Sequence, residues 1–508
     1  MNEPFYLTTT LPYVNAKPHI GFALEIIQAD AIVRYQRMLG KDVFYNTGTD
    51  EHGQKIYTKA QEAGIDTQTY VDGFAKDFKE LVPLLNLDNP TFIRTTDAKH
   101  KAAAQEMWKR CEANGDIYKK VYQVKYCVGC ELEKTDSELV DDKCPIHPSY
   151  EIELIDEENY FFRFSNYGDK LLALYDTYPD FVLPAHRQSE IRAFVERGLQ
   201  DFSISRLKEK MPWGVPVPGD DTQVMYVWFD ALTNYISTLD WPQESETFEK
   251  YWGTTDEPKA VQVAGKDNLR QQSAMWQAML MSAKLPTSRQ IFIHGFITSD
   301  GKKMSKSIGN VIDPYTEVEK YGADPLRYFL LGALPSDEDG DYTHERFEEF
   351  YTAHLVNGVG NLTSRVLTML EKYSDGKVPK AETAYAYESL QNKVMDSWQY
   401  YNASLSFYDF NKAISLVNDL INELDRIITL EKPWQKVKDG VEITVLLYEL
   451  SEVLRHIALM LLPIIPTSAE KILTQLGASD IRSREWGALP SGTKITKNDE
   501  HLFPRLEK

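Results

Sequence analysis

Two short segments carry residue types suited to phosphate chemistry. The first, Pro18-His19-Ile20-Gly21-Phe22, lies where a predicted loop leads into a predicted helix. A helix N-terminus favours anions through its N–H groups and its dipole, and a glycine lets a ligand approach the backbone closely. A histidine there can donate to a phosphoryl oxygen as negative charge develops. Taken alone, such a segment is more typical of an ordinary capping turn.

The second segment, Lys303-Met304-Ser305-Lys306-Ser307, is followed by Ile-Gly-Asn at 308–310. Two lysines three residues apart, in a loop rich in serine and glycine, form a cationic clamp. Their ammonium groups can neutralise a pentavalent α-phosphate and a leaving pyrophosphate. The alternative for most lysine-rich pentapeptides is a solvated basic loop.

A third pattern predicts a metal site. Cys127 and Cys130 are separated by two residues, and Cys144 and His147 repeat that spacing after a short loop. Thiolates and imidazole in this spacing match a tetrahedral zinc knuckle, and four protein ligands leave no open position, so we expect a structural Zn²⁺. The fourth cysteine, Cys111, lies outside the pattern and is expected to be buried. So few cysteines indicate a reducing compartment.

The elements that must position these residues begin with strand–helix–strand. Residues 5–9 and 42–46 are β-branched and aromatic, and the stretch between Gly21 and Gly40 has helical periodicity. This order predicts a βαβ unit in a parallel sheet, where ligands bind outside the carboxyl ends of the strands. We therefore expect binding residues in the loops at 10–22 and 47–53.

The whole chain of 508 residues is long enough for several domains, and 43% apolar with 26% charged residues excludes disorder or a coiled coil as the dominant class. We predict an α/β Rossmann-like parallel sheet with an inserted zinc-knuckle domain, followed by an α-helical bundle. The predicted divisions are a first catalytic half (1–115), the insertion (116–225), a second catalytic half (226–295), a segment with the lysine-rich loop (296–350) and the bundle (351–508).

The formal net charge of −20 argues against a non-specific nucleic-acid coat protein, although binding needs only a local basic face. The N-terminus shows no signal-peptide pattern, and the longest apolar run, 457–462, is far shorter than the ~20 residues of a membrane span. We expect a cytoplasmic protein that does not contact a membrane.

Taken together, the first two segments resemble the HIGH and KMSKS signatures of class I aminoacyl-tRNA synthetases. Within that class the chain is similar to the methionyl-tRNA synthetase family over nearly its whole length, through the stretches 11–15, 48–53, 227–231 and 265–267. The resemblance implies activation of methionine with ATP and Mg²⁺, and loading of methionine onto tRNA(Met). Many members of this family carry the same knuckle in the inserted domain.

The resemblance also implies roles for individual residues. His19, Lys303 and Lys306 would be catalytic. The implied ATP site comprises His19, Gly21, Glu25, Arg206, Gly265, Asp267, Lys303, Ser305 and Lys306. The implied methionine site comprises Leu11, Tyr13, Asp50, Val227, Trp228, Ala231, Tyr235, Gln272 and Trp276. Asp50 would pair with the methionine ammonium, and the aromatic walls suit a polarisable thioether.

Three further residues match the positions with which the family reads the CAU anticodon. Asn361 and Arg365 are spaced i, i+4 on a predicted helix at 351–372, opposite its apolar stripe, and Trp434 is expected in a loop between helices. Unpaired bases are recognised by stacking on aromatic rings and by hydrogen bonds to base edges.

Two stretches depart from the family pattern. Phe22 stands where the first signature has a second histidine, and Asn-Leu-Arg-Gln-Gln at 268–272 replaces a stretch with Ile and Phe-His. Gln272 can still present a polar group to the thioether, while Asn268 makes the pocket wall more polar. Since Lys303, Lys306 and Asp50 are present, we expect activity, with rate and selectivity affected.

Two alternatives stay open at this point. Another class I specificity is one, although the branched-chain enzymes carry a larger insertion and a cysteine enzyme would hold zinc in its amino-acid pocket. A non-catalytic tRNA-binding relative is the other. We expect no tRNA-binding barrel after the bundle, and therefore a monomer.

Overall fold

The structure is a computed structural model that describes residues 2–130, 132–134, 138–243, 245–304, 309–380, 388–498 and 500–506. The chain divides into two compact units. The first comprises Met1–Pro18, Gly40–Val82 and Asn89–Ile293. The second comprises His19–Leu39, Pro83–Asp88 and His294–Lys508.

Strands and helices alternate in the first half of the chain, and helices dominate the second half. The strands are β1 (Pro4–Thr9), β2 (Asp42–Thr49), β3 (Thr91–Arg94), β4 (Ile117–Cys127), β5 (Leu132–Glu133), β6 (Ile152–Phe162), β7 (Val182–Leu183), β8 (Phe202–Ser203), β9 (Ser205–Leu207), β10 (Pro216–Val217), β11 (Asp220–Met225), β12 (Ala260–Gly265), β13 (Gln290–His294), β14 (Ile297–Ser299), β15 (Lys302–Lys303) and β16 (Gly340–Tyr342).

The helices are α1 (Ile20–Met38), α2 (Gln54–Glu62), α3 (Thr67–Leu84), α4 (Ala98–Ala113), α5 (Gly168–Thr177), α6 (Ala185–Glu196), α7 (Val227–Ala231), α8 (Asn234–Ser237), α9 (Glu246–Trp252), α10 (Trp276–Ser282), α11 (Pro314–Tyr321), α12 (Ala323–Gly332), α13 (His344–Phe350), α14 (Asn361–Tyr373), α15 (Glu388–Ser406), α16 (Phe410–Glu431), α17 (Pro433–Lys438), α18 (Thr444–Leu461) and α19 (Pro466–Gln475). Two π-helical stretches, Gln271–Met275 and Tyr351–Gly360, lead into α10 and α14.

The first unit is built on a parallel sheet with the strand order β3-β2-β1-β12-β13-β7. All of β12 and nearly all of β1 are buried, as expected for parallel strands covered on both faces. The chain leaves β1 toward β2 and β3, and leaves β12 toward β13 on the opposite side. The point between β1 and β12 is therefore the topological switch point, where ligands bind in sheets of this kind.

The insertion between the two halves of the sheet is an antiparallel hairpin. β4 and β6 pair along eleven residues, from Ile117 with Phe162 to Cys127 with Ile152. β5 and β8 flank this pair, and β10, β11 and β9 form a small separate sheet. The first predicted zinc ligand, Cys127, thus stands at the end of the long strand β4.

The second unit contains α1 together with the helical bundle. The apolar stripe predicted from Leu355 onward is buried at Leu355, Val359, Leu362, Val366 and Leu370. The π-helical stretch before α14 contains a backbone break at Gly358 (φ −87°, ψ −111°). Helices α15, α16 and α18 pack together, and α18 also contacts α14 and α19.

Helix α1 follows β1 and precedes β2 in the chain, yet it belongs to the second unit. Thirteen of its nineteen residues are buried, so it is enclosed on most sides. Asp30 of α1 forms a fully buried ion pair with Arg327 of α12. Arg327 also donates to the carbonyl oxygens of Leu85, Pro463 and Ile464. This arginine joins α1 to the bundle.

The predicted fold class, a Rossmann-like parallel sheet with an inserted Cys/His cluster and a following helical bundle, is confirmed. The five boundaries within it stay predictions. Among the described residues, none of the helices combines the length and the apolar composition needed to cross a bilayer.

Candidate active site

The loops after β1 and β2 are tied together beside the switch point. Tyr13 and Asp50 form an isolated parallel bridge. The Val14 N–H donates to the Asp50 carbonyl at 3.1 Å, and the Asp50 N–H donates to the Pro12 carbonyl at 3.0 Å. Asp50 is 6% exposed. The predicted residues Leu11, Tyr13 and Asp50 therefore belong to one rigid pair of loops.

A buried carboxylate with two imidazoles supports this loop pair. Asp230 accepts from His52 Nδ1 at 2.6 Å and from His100 Nε2 at 2.8 Å, and all three side chains are buried. Burial by itself would raise the pKa of the Asp230 carboxyl, but the two imidazoles hold that pKa far below its ordinary value. Sequence reasoning assigned no role to these three residues, because only the fold brings the loop after β2, α4 and α7 together.

Glu51, the residue after Asp50, has a structural role. Glu51 is fully buried and forms a two-pronged ion pair with Arg94, with distances of 2.6 and 2.8 Å. The Glu51 carbonyl accepts from Trp213 Nε1 at 2.6 Å. Asp50 and Glu51 thus have different tasks: Glu51 anchors the loop and leaves Asp50 at the site.

Aromatic side chains line the next part of the predicted methionine site. Tyr13 and Trp228 pack against a small cluster of Tyr126, Tyr226 and Val227. The predicted ATP residue Arg206 belongs to the same region, with its guanidinium 4.5 Å from the centre of the Tyr226 ring. Its Nη1 donates to Ser203 Oγ and to the Ser205 carbonyl. Arg206 therefore makes a cation–π contact with Tyr226 and hydrogen bonds to a serine hydroxyl and a backbone carbonyl.

The remaining methionine residues lie on α7, α8, the π-helical stretch at 271–275 and the start of α10. The rings of Tyr235 and Trp276 pack edge to face with centres 5.8 Å apart. Gln272 donates from Nε2 to Tyr235 Oη at 2.5 Å, and Ala231 is buried nearby in sequence at the end of α7. π-helical turns are frequent at functional sites. The Gln272 amide is directed to Tyr235 rather than left without a protein partner.

Gly265 and Asp267 stand at the carboxyl end of β12. Gly265 is the last residue of that strand, and Asp267 lies exposed in a short turn, Lys266–Asn268. The Asn268 side chain donates to Asp267 Oδ1 at 3.3 Å. The departure Asn268 therefore contacts the predicted ATP residue Asp267.

In the second unit, His19 caps the N-terminus of α1. Its Nδ1 accepts from the Gly21 N–H at 3.1 Å. The Ile20 N–H donates to the Ile312 carbonyl at 3.0 Å, so the first two N–H groups of the helix already have partners. A Cβ on Gly21 would lie 2.9 Å from the imidazole, which explains the glycine. The exposed imidazole of His19 thus stands at the positive end of the helix, where an anion is favoured.

Glu25 lies on α1 and is paired with His294. His294 Nε2 is 3.0 Å from Glu25 Oε2, and its Nδ1 is 2.7 Å from the Gly295 carbonyl oxygen. A neutral imidazole carries only one N–H, so both contacts are satisfied in full when His294 is protonated. Sequence reasoning missed His294, which lies nine residues before Lys303.

Lys303 is exposed in β15, which pairs with β14, and its ammonium lies 5.9 Å from the centre of the Phe296 ring. Ser305 and Lys306 lie outside the described residues. The predicted ATP residues are thus divided: His19, Gly21, Glu25 and Lys303 belong to the second unit, and the other described ones belong to the first.

The predicted metal ligands come together. The ligand atoms of Cys127, Cys130, Cys144 and His147 all lie within 4.8 Å of one another. Cys130 Sγ is 3.3 Å from Cys144 Sγ and 3.1 Å from His147 Nδ1. A Cβ on Gly129 would lie 2.5 Å from His147 Cγ, so only glycine lets the imidazole join the cluster. Three sulfurs and an imidazole at these separations fit a tetrahedral Zn²⁺ site.

Cys111 is buried outside the cluster, as expected, and burial raises the pKa of its thiol to about 12. An apolar, protonated thiol of this kind is a core residue rather than a ligand.

The three predicted anticodon residues lie in the second unit. Asn361 is exposed at the start of α14, and Arg365 forms an ion pair with Asp425 of α16. Trp434 is 44% exposed. The expectation that it lies in a loop is wrong: it stands in the first turn of α17, because Pro433 suits the first helical position and Lys432 ends α16 in the left-handed conformation.

Comparison with known proteins gives full-length matches. The chain matches the family described as "tRNA synthetases class I (M)" over residues 5–151 and 133–367, and the "Anticodon-binding domain of tRNA ligase" over 393–503. It is 41% identical to the methionine–tRNA ligase of Thermosynechococcus vestitus, covering 100% of this chain and 98% of that protein. It is 38% identical to the methionine–tRNA ligase of Thermotoga maritima, covering 99% of this chain and 80% of that protein.

Solved structures of a methionyl-tRNA synthetase are similar to this chain over its whole length. The chain superposes with a TM-score of 0.92 and 37% identity on Mycobacterium tuberculosis methionyl-tRNA synthetase in complex with methionyl-adenylate, covering 99% of this chain and all of that one. Against the apo form of the same enzyme the TM-score is 0.86 at 34% identity, covering 100% and 99%.

Proposed function

This chain belongs to the methionyl-tRNA synthetases of class I, and from that premise we propose how its own residues activate methionine with ATP and transfer it to tRNA(Met). The observation that carries the proposal is the full-length likeness to an enzyme solved with methionyl-adenylate. The residues with assigned roles are those placed above, together with Ser305 and Lys306, which lie outside the described residues.

In the first step, a carboxylate oxygen of methionine attacks the α-phosphorus of ATP, and the bond to the leaving pyrophosphate breaks. Catalysis of such a step is mostly positioning and charge stabilisation. We assign His19, through its exposed imidazole, and Lys303 with Lys306 to stabilising the charge on the phosphates. Mg²⁺ bound to ATP would supply further neutralisation. Gly21, Glu25, Arg206, Gly265, Asp267 and Ser305 complete the proposed ATP site.

Methionine is held in the first unit. The Asp50 carboxylate pairs with the substrate ammonium, and the rigid loop pair around Tyr13 keeps that carboxylate in place. The thioether lies among aromatic rings, where sulfur–ring contacts are favourable. The proposed walls are Leu11, Tyr13, Val227, Trp228, Ala231, Tyr235, Gln272 and Trp276. In the second step, a hydroxyl of the tRNA 3′-terminal ribose attacks the methionyl carbonyl, and AMP leaves.

We assign Zn²⁺ to the Cys127, Cys130, Cys144 and His147 cluster as a structural ion. The donor set and the glycine at 129 support this role. Tyr126 and Val128, on either side of the first ligand, pack in the cluster that contacts Tyr13 and Trp228. A bound ion would therefore stiffen the wall of the methionine site.

The bundle reads the anticodon, with Asn361 and Arg365 offering hydrogen bonds to base edges and Trp434 offering a stacking surface. We further propose a cytoplasmic monomer. Sedimentation at low micromolar concentration tests the second point, and a mass near twice the 58.4 kDa of one chain would contradict it.

The test of the function is ATP–pyrophosphate exchange with each of the twenty amino acids. Exchange with methionine alone supports the proposal and shows that Phe22 and Gln272 are tolerated. Exchange with a different amino acid would contradict the specificity. No exchange with any amino acid, while the protein still binds tRNA, would favour a non-catalytic tRNA-binding role.

A further inference from the structure

A chain of hydrogen bonds among buried neutral side chains leads to the predicted methionine pocket. Its members are Ser288, Gln277, Gln262, Gln272 and Tyr235, and none is more than 2% exposed. The chain begins at the backbone N–H of Ser288, 3.0 Å from Gln277 Oε1. It ends at Tyr235 Oη. All five residues belong to the first unit.

The first link fixes the direction of the following ones, because a backbone N–H can only donate. Gln277 must turn its oxygen to the Ser288 N–H, so its Nε2 donates to Ser288 Oγ at 3.1 Å and to the Gln272 carbonyl at 2.8 Å. With its oxygen accepting from Gln277, the Ser288 hydroxyl donates its own hydrogen to Gln262 Oε1, 2.6 Å away.

The hydrogen bonds of Gln262 and Gln272 run in the same donor-to-acceptor direction. Gln262 Nε2 donates to Gln272 Oε1 at 2.9 Å, and Gln272 Nε2 donates to Tyr235 Oη at 2.5 Å. Since the Tyr235 oxygen accepts this hydrogen bond, its own hydrogen points away from Gln272. Toward the group on that other side, the Tyr235 hydroxyl acts as a donor. An amide accepts at one end and donates at the other, so no single link can reverse without its neighbours.

We propose that Gln262, Gln277 and Ser288 are positioning residues for methionine selection, which hold the Tyr235 hydroxyl as a hydrogen-bond donor toward the amino-acid pocket. This inference rests on the proposed function, which places Tyr235 in that pocket. A thioether sulfur accepts a hydrogen bond, whereas a methylene of similar size does not. A site built to hydrogen-bond its substrate discriminates against an analogue that lacks the bonding group.

The test compares methionine with norleucine, in which a methylene replaces the sulfur, as substrates in ATP–pyrophosphate exchange. Ser288→Ala removes the hydroxyl that orients Gln262, and Gln262→Met removes the next link with little change of volume. In both variants we expect the methionine-to-norleucine ratio of kcat/KM to fall by about five- to tenfold, the worth of one hydrogen bond. The KM for methionine rises while the KM for norleucine stays unchanged.

The matched control is Gln223→Met, which alters another buried glutamine of the same unit. Its Nε2 donates to the Glu158 carbonyl at 2.8 Å, and none of the bonds described for it joins the chain. We expect this variant to keep the wild-type ratio. If one test variant fails to fold, as judged by its thermal unfolding, the other decides.

Two outcomes would overturn the inference: a wild-type ratio in both test variants, or a parallel rise of both KM values. Failure of the proposed function would look different, because the wild-type protein itself would then show no methionine-dependent exchange.

Discussion

Arg327 and Asp30 form an ion pair with Nη2 and Oδ2 2.7 Å apart, and neither side chain has any exposed surface. Without Arg327, the buried Asp30 carboxylate still has Arg34 at 2.7 Å and the Asp88 N–H as partners, so the cost lies at or below that of an uncompensated buried charge, about 3–5 kcal/mol. Arg327→Met also removes the hydrogen-bond donor to the carbonyl groups of Leu85, Pro463 and Ile464. We expect a large fall in the urea concentration at the midpoint of unfolding. The helical circular dichroism signal measures that unfolding.

The control for this prediction is Arg482→Met. Arg482 pairs with Glu470, and each side chain is 47% exposed, so its loss should cost about 0–1 kcal/mol. Equal shifts of the midpoint in the two variants would contradict the structural role of Arg327.

Gly21→Ala should slow activation without weakening methionine binding. The new Cβ would lie 2.9 Å from His19 Cε1 and 3.0 Å from Nδ1, so the imidazole must move. A displacement near 1 Å of a group that stabilises the reaction can cost about 100-fold in rate. The measurement is kcat and KM for methionine in ATP–pyrophosphate exchange. Gly168→Ala, at a helical glycine with open space, serves as the control, and an unchanged kcat in Gly21→Ala would refute the role of His19.

Gly129→Ala should lower the zinc content of the purified protein. The added methyl group would lie 2.5 Å from His147 Cγ and would push the imidazole out of the cluster. We expect about one zinc per chain in the wild type and a substoichiometric amount in the variant after dialysis against a chelator, measured by atomic emission. Gly73→Ala, where a Cβ meets nothing within 4 Å, should retain the wild-type content. Equal zinc content in both variants would argue against His147 as a ligand.

Trp434→Ala should weaken tRNA use and leave amino-acid activation intact. Loss of one stacking surface costs about 1–3 kcal/mol, which predicts a rise of about 5- to 150-fold in the KM for tRNA(Met). ATP–pyrophosphate exchange without tRNA should not change. Phe407→Ala, which removes another exposed aromatic of the same unit, is the control. A parallel rise for both variants would indicate a general effect on the bundle.

Acid should destabilise the bundle through Glu452. Burial alone would raise the pKa of this carboxyl, but hydrogen bonds and charges from Arg455 and His456 lower it to about 2. A carboxyl with a depressed folded pKa contributes stability above its unfolded pKa, near 4.3, and loses that contribution as pH falls toward 2. The difference in free energy of unfolding between wild type and Glu452→Gln should therefore shrink from pH 5 to pH 2.5. A constant difference across that range would contradict the assignment.

Much of the fold followed from local signals. Strand and helix periodicity at the N-terminus predicted the parallel sheet, and the Cys/His spacing predicted a cluster that the structure assembles. These predictions succeeded because each depends on residues close in sequence. The expectation of a loop at Trp434 is wrong because Lys432 ends one helix and Pro433 begins the next without a loop between them.

The supporting contacts could not be predicted in this way. His52 and Asp230 are 178 residues apart, and His100 reaches the same carboxylate from a third element. The same holds for the glutamine chain behind Tyr235, where each member is an ordinary buried amide in sequence. Its proposed function depends on the direction of its hydrogen bonds, which the Ser288 N–H and the Gln272 carbonyl set at Gln277.

The membership of α1 in the second unit has a consequence for how the protein is made. The ribosome synthesises α1 among the first forty residues, but Arg327, the partner of Asp30, emerges about 300 residues later. At about 5–20 residues per second, the nascent chain carries this largely apolar helix without Arg327 for about 15–60 s. The second unit therefore takes helices from both ends of the chain, and severing the polypeptide between β13 and β14 would separate α1 from the bundle to which it belongs.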